Sequence, residues 1–314
     1  MRQQGKFSYE FIVEEEEGKR LDLFLKESLP QFSRSFIQKL IRKGKVTVNG
    51  KTSKTAYHIK KGDEVSISIP SLPELKVEAR PIPLDVLWED EEILVINKPA
   101  GMLVHPVLPY VRDDTLVNAL LFHCAHLSQV GGILRQGIVH RLDKDTSGVM
   151  VIAKDDRSHL SLATQFRKRV VKKVYVALVR GRPPENEGRI ELPIGRNPQD
   201  GRKMSIGGKF SREAITYYRV LKEWERWSLL ELYPKTGRTH QIRLHLHSIN
   251  CFLVGDKIYG GRMAKDFPYR VERGMLHART LGFFHPQRGE WMEFEAPLPE
   301  DMKRAINCLD LSLA

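Results

Sequence analysis

Between Ser33 and Gly44 the apolar residues Phe36, Ile37, Leu40 and Ile41 recur at the spacing of one helical face. Ser35, Gln38, Lys39 and Arg42 fall on the opposite face. Ser33 offers an N-cap and Gly44 a stop, so the pattern predicts a helix with a basic side turned to solvent. Residues 17–25 read as a shorter amphipathic helix. After Gly44 the period drops to two: Val46-Thr47-Val48 enters an Asn49-Gly50 hairpin turn, and a further strand is predicted over 64–69. Beyond residue 85 strands dominate. They are predicted at 93–97, 173–179, 274–284 and 291–295, with an antiparallel pair at 214–221 and 228–233. Helices are predicted at 115–123, at 156–169 behind an Asp155 or Asp156 cap, and at 239–249. A strand entering Gly137-Ile138-Val139 should stop on His140-Arg141-Leu142-Asp143 and restart after Ser147-Gly148. That would leave charged groups at a sheet edge within reach of a ligand.

Strands and helices do not alternate strictly. The predicted class is therefore α+β, a mainly antiparallel sheet with flanking helices, preceded by a small α/β domain. Pro70, Pro73, Pro81 and Pro83 mark a linker over residues 71–85, which separates a first domain at 1–70 from a second at 86–314.

Charge alters this picture more than composition does. The 314 residues include 51 Lys or Arg against 39 Asp or Glu, a net +12. The excess is concentrated: residues 28–62 hold nine basic and no acidic side chains, and residues 158–184 hold seven and none. Such one-sided blocks suit a phosphate backbone. On the first domain the candidate contacts are Arg34, Lys39, Arg42, Lys43 and Lys45. Three scattered cysteines suit a reducing compartment and show neither a disulfide framework nor zinc spacing. No apolar run approaches the roughly 20 residues of a membrane span, and no apolar signal region follows the first residues. A cytoplasmic monomer without membrane contact is expected.

Phosphate-loop, dinucleotide and nucleophile-elbow motifs are missing. His240, His245 and His247 cluster in sequence but lack the spacing of a helical zinc pair, so neither metal nor cofactor is expected. What remains is a turn centred on Asp143, flanked by Arg141 and Lys144, which favour an ionised carboxylate.

Several segments resemble the RluA-type pseudouridine synthases. Val95-Ile96-Asn97-Lys98-Pro99-Ala100-Gly101 through His105-Pro106 is similar to that family's opening motif. Residues 137–154 resemble its catalytic motif, Lys172-Lys173-Val174-Tyr175-Val176-Ala177 its tyrosine motif, Thr236 to His245 its third motif, and Met275-Leu276-His277-Ala278 its late strand. Residues 18–69, with Arg20-Leu21-Asp22 and Ile41-Arg42-Lys43-Gly44, resemble the small RNA-binding domain named after ribosomal protein S-four. That pairing is similar to the RluC and RluD branch. The resemblance implies isomerisation of uridine to pseudouridine without a cofactor, with large-subunit ribosomal RNA as the partner. The alternatives are transfer RNA as substrate, or a non-catalytic RNA-binding assembly factor.

By the same resemblance Asp143 is the essential carboxylate, attacking sugar or uracil or assisting loss of a sugar proton. Tyr175 packs against the uracil or transfers a proton, and Arg243 pairs with Asp143. Arg141 fills the space of a flipped-out uridine, Lys144 and Arg238 meet phosphates, and Leu276 packs behind Tyr175. Paired-carboxylate hydrolysis is disfavoured, because Asp143 and Asp145 lie only two positions apart in a turn. One departure stands out: residues 107–114 lack the Gly-rich character of the family.

Overall fold

A computed structural model describes residues 7–14, 16–30, 32–69, 77–106, 113–201, 203–260 and 267–311. Part of the expected linker and most of the 107–114 segment lie outside these residues. The chain divides into two compact units, 1–75 and 76–314.

The first unit runs β1 (Phe7–Ile12), α1 (Leu21–Ser28), α2 (Arg34–Arg42), β2 (Val46–Val48), β3 (Lys51–Thr52) and β4 (Glu64–Ile69), with sheet order β1-β4-β2-β3. Ser33 caps α2 by accepting the Phe36 N–H, and Ile37, Leu40 and Ile41 face the core. Asn49 and Gly50 both have positive φ, 52° and 74°, the mirror-image turn that matches strand twist in a tight hairpin. Strand β1 is an addition to the sequence reading. Its signal is the alternation Phe7, Tyr9, Phe11, and it pairs along its whole length with β4.

The second unit contains β5 (Val86–Glu89), β6 (Ile93–Lys98), α3 (Leu116–His123), β7 (Ser147–Ala153), α4 (Asp156–Lys168), β8 (Lys172–Arg180), β9 (Glu187–Glu191), β10 (Ile194–Arg196), β11 (Met204–Ile206), β12 (Lys209–Arg212), β13 (Ile215–Glu223), β14 (Trp227–Pro234), α5 (Gln241–Ser248), β15 (Phe252–Leu253), β16 (Leu276–Phe284), β17 (Trp291–Glu295) and α6 (Glu300–Leu311). A ten-stranded sheet has the path β5-β6-β7-β16-β8-β14-β13-β9, with β15 on β8 and β17 on β16. Its pairings are antiparallel except β7 with β16. Strands β6 and β7 are apolar on both faces because both are covered. Leu94, Ile96, Met150 and Ile152 pack with Leu116 and Leu120 of α3; Ile93, Val95, Val149 and Val151 pack with Leu162 of α4 and Phe283.

Two local expectations need correction. The approach to Asp143 is not a strand: Ile138 makes one isolated bridge to Ile152, and strand structure begins only at Ser147. Its backbone groups bond in turns instead of along a strand: the Gly137 N–H donates to the Ser128 carbonyl and the Ile138 N–H to the Arg135 carbonyl. Helix α5 starts at Gln241, not 239. The Gln241 side chain accepts from the Arg238 N–H and the Thr236 hydroxyl and donates to the Ile215 carbonyl. It thereby holds the preceding turn open, and His240 takes a left-handed conformation, φ 57°.

Candidate active site

The polar turn 140–148 is held from several sides. His140 Nε2 accepts the Val151 N–H at 3.1 Å, and its ring stacks on Phe166 at 4.5 Å. Burial, with the charge of Lys173, pushes this imidazole down to about 3, so it is neutral. Lys98 is fully buried, and its ammonium donates to the carbonyls of Pro99, Met102 and Lys144 at 2.7, 3.0 and 3.2 Å. Burial lowers its pKa to about 7. Arg273 donates to the Asp145 carbonyl at 3.2 Å while its other nitrogens grip Asp301. Ser147 bonds His277 Nδ1 at 2.9 Å across the parallel β7–β16 pair. There Gly148, φ 123°, lies so close to β16 that a Cβ would sit 2.1 Å from the Ala278 carbonyl oxygen. The glycine of the motif is thus required by strand approach.

This support leaves the Asp143 carboxylate 23% exposed at a cavity of about 510 Å³. Arg243 Nη1 stands 3.5 Å from Asp143 Oδ2, and His240 Nε2 4.0 Å from it. The stronger partner of Arg243 is Asp256, a fully buried residue absent from the sequence reading. Its two oxygens accept from Nε and Nη2, both at 2.7 Å. Burial opposes ionisation of Asp256, but the Arg243 fork and the N–H groups of Ile258 and Tyr259 outweigh it and hold the carboxyl below its usual range. The Arg243 guanidinium also lies 4.9 Å from the Tyr259 ring centroid, and the Tyr259 hydroxyl meets His240 Nδ1 at 2.7 Å. Burial, only partly offset by Asp143, lowers the His240 pKa.

The cavity is lined by Asp143, Tyr175, Arg243, Arg141, Arg238 and Leu276, so six predicted site residues from four separate stretches meet there. Lys144 does not line it; its side chain is exposed and only its carbonyl serves the site. Burial and the charge of Asp143 raise the Tyr175 phenol above its ordinary value, which keeps it protonated. The ion pair of Asp143 runs to Arg243, with the His240 imidazole 4.0 Å away, not to the neighbours Arg141 and Lys144 that the sequence suggests. Arg141 instead contacts His105 Nε2 at 3.3 Å. The lining also includes the cations Arg167, Arg169, Lys173, Lys235 and Arg238. Lys173 is pushed down to about 8 by burial and by the charges of Lys235 and Arg169. The cavity therefore offers both a paired carboxylate and positive charge.

In the first unit Lys39, Arg42, Lys43 and Lys45 are exposed. Arg34 is exposed too, but it and Gln38 donate to the buried Asp22. Gln38 thus serves the interior rather than the outer face predicted for it.

Among the described residues, Asp90, Glu92 and His285 place ligand atoms within 4.8 Å of one another. His285 Nδ1 accepts the Arg288 N–H, so Nε2 carries the proton and donates to Asp90 at 3.0 Å. Trp88 and Arg288 donate to the same carboxylate. The imidazole has no lone pair left for a metal ion, and the group ties the β5–β6 turn to the end of β16. His245 is likewise engaged, with the Thr216 hydroxyl and the Leu192 carbonyl.

Residues 92–248 match the family described as RNA pseudouridylate synthase, and residues 19–65 match the S4 domain. The chain is 43% identical over 296 residues to "Uncharacterized RNA pseudouridine synthase YlyB" of Bacillus subtilis, covering 94% of this chain and 96% of the relative. It is 41% identical to "Ribosomal large subunit pseudouridine synthase D" of Zymomonas mobilis, covering 96% and 97%. Among solved structures, human RNA pseudouridylate synthase domain containing 1 superposes with a TM-score of 0.57 at 27% identity, over 74% of this chain and 96% of that one.

Proposed function

Because the chain belongs to the RNA pseudouridylate synthase family, we propose that it isomerises uridines of large-subunit ribosomal RNA to pseudouridine, with Asp143 as the essential carboxylate. The observation that carries this reading is the constellation of Asp143, Arg243, Tyr175 and Leu276 around one cavity of nucleotide size. The choice of ribosomal RNA rests on relatives named for the large subunit.

The reaction breaks the bond from uracil nitrogen 1 to sugar carbon 1′, rotates the held base, and joins carbon 5 to carbon 1′. The proton on carbon 5 is lost, nitrogen 1 gains one, and no atoms are added overall. A stacked base cannot present its glycosidic bond, so the uridine must leave the helix at a cost of a few kcal/mol. Arg141, exposed at the rim, occupies the vacated space. Arg243, locked by Asp256, holds the Asp143 carboxylate aimed at the sugar. Tyr175, protonated, packs its ring on the uracil with Leu276 behind it. The cations Lys173 and Arg238 receive phosphates, and Lys39, Arg42, Lys43 and Lys45 of the S4 domain add affinity.

The test is release of tritium from RNA labelled at uridine carbon 5, with wild type and Asp143→Asn run on ribosomal and on transfer RNA. Release by wild type alone, from ribosomal RNA, is expected. Release only from transfer RNA would replace the substrate. Tight binding with no release from either RNA would favour a binding factor.

A further inference from the structure

A second small sheet, order β11-β10-β12, is linked to this site by hydrogen bonds at its ends. The chain crosses the face of β10 on its way from β11 to β12, passing so close that a Cβ on Gly195 would lie 2.5 Å from the Lys209 carbonyl oxygen and 2.6 Å from that of Gly208. The crossing disturbs the register. Arg196 pairs with Lys209 and Ile194 with Arg212, so Phe210 and Ser211 together oppose Gly195. This is a β-bulge, a device that re-aims a side chain.

Phe210 pays for the arrangement with φ 55°, a conformation uncommon for a bulky residue. Its side chain is 90% exposed. The sheet's other side is packed, with Ile194, Ala214 and Leu244 buried beside Met204 and Tyr259. An aromatic held outward in a strained conformation, on an element whose inner side is anchored, is a pointer to function rather than to packing.

Its surroundings are cationic: residues 196–212 contain five Lys or Arg and one Asp. Lys203, Lys209 and Arg212 are exposed. Both ends of the arm are tied to the cavity wall. The Met204 N–H donates to the Tyr259 hydroxyl at 3.1 Å, the same hydroxyl that meets His240. On the other side Glu213 chelates Arg169, and its carbonyl accepts from Arg238 Nε.

We infer that this arm is a docking surface for single-stranded RNA, in which Phe210 stacks on an unpaired base next to the uridine in the cavity while Lys203, Lys209 and Arg212 take the flanking phosphates. The inference rests on the reading of the chain as an RNA-modifying enzyme and adds the surface that seats the neighbouring nucleotide. A flat base on a charged backbone matches a lone aromatic among cations. A protein partner would call for a contiguous apolar patch instead.

The test uses the full chain and a uridine-rich RNA stem-loop with 2-aminopurine beside a loop uridine, read by fluorescence, together with tritium release from ribosomal RNA. Phe210→Ala should weaken binding and raise KM by roughly 5- to 100-fold, abolish the stacking quench of 2-aminopurine, and leave kcat within about twofold. Phe210→Trp should restore the quench. Phe210→Gly should bind as weakly as the alanine variant yet melt at a higher temperature than wild type, because glycine relieves the positive φ. Lys209→Gln with Arg212→Gln should reduce the salt slope of binding by about 1.4.

Unchanged affinity and quench in Phe210→Ala would overturn the inference. So would a fall in kcat at constant KM, which would make the arm a brace for Arg243. If the RNA binds with a Phe210-dependent quench but wild type releases no tritium, the isomerase reading fails while the docking surface stands.

Discussion

Each unit of this protein buries one aspartate under an arginine fork, and the two arrangements do different work. In the S4 domain Asp22 is fully buried and accepts from Arg20, Arg34 and Gln38. Burial opposes its ionisation, but those donors outweigh it and bring the carboxyl down to about 2. The arginines end there: Arg34 remains 47% exposed, and the cluster staples α1 to α2. In the second unit Asp256 accepts a similar fork from Arg243, which is itself only 13% exposed and has a nitrogen left over for Asp143. The same ionic device is a staple where its free side meets water and a lever where its free side meets a second carboxylate. Desolvation makes the difference, since a charge–charge contact gains weight as water is excluded.

The largest test of this contrast is Asp143→Asn, which removes what the Asp256–Arg243 pair serves. Tritium release should fall by roughly 10⁴-fold or more with RNA affinity retained. Asp143→Asn keeping most of its activity would end the comparison, because Arg243 would then have nothing to aim.

Next is Asp256→Ala, which strands a buried guanidinium. It should cost about 3–5 kcal/mol of stability, seen as an earlier unfolding transition. It should also lower kcat by about 100-fold through misplacement of Arg243. Asp22→Ala should destabilise the first unit by less, because Arg20 and Arg34 reach water, and leave kcat at saturating RNA unchanged. If both variants lower kcat equally, staple and lever are not distinct.

Acid titration sharpens the contrast further. The Asp22 carboxyl titrates from 3.8 in the unfolded chain to about 2 in the folded one. Its stabilisation, about 2 kcal/mol, is therefore complete above about pH 4 and lost as pH falls through 2. Asp22→Asn should remove that part of the acid dependence in melting curves. Lys98 adds to the same trend at higher pH. Unfolded it keeps its proton to 10.5 and folded only to about 7, so over that window the unfolded chain binds more protons and stability rises with pH. Lys98→Met should flatten that rise.

The smallest effect belongs to the exposed lysines and arginine. Neutralising Lys39, Arg42, Lys43 and Lys45 with glutamine should lower the salt slope of RNA binding by about 3 and leave kcat untouched. An unchanged slope would place the electrostatic contact elsewhere.

Local chemistry was legible in the chain because local physics decides it. The 3.6 period of Phe36 to Ile41, the Ser33 cap, the Asn49-Gly50 turn and the antiparallel strand pairs depend on neighbours a few positions away, and each appears in the fold. The motifs around Asp143, Tyr175 and Arg243 could be picked out in the same way, and the structure gathers them around one cavity.

Partner choice was not legible. Arg243 takes Asp256 in preference to Asp143, Arg141 turns to His105 instead of Asp143, and Arg34 bonds to Asp22. Lys98, read only as part of a motif, reaches 46 positions along the chain to the Lys144 carbonyl. Hydrophobic period and turn chemistry are properties of a segment. Which charges meet is settled by through-space distance and by which groups lose their water together, and only the packed tertiary structure decides that.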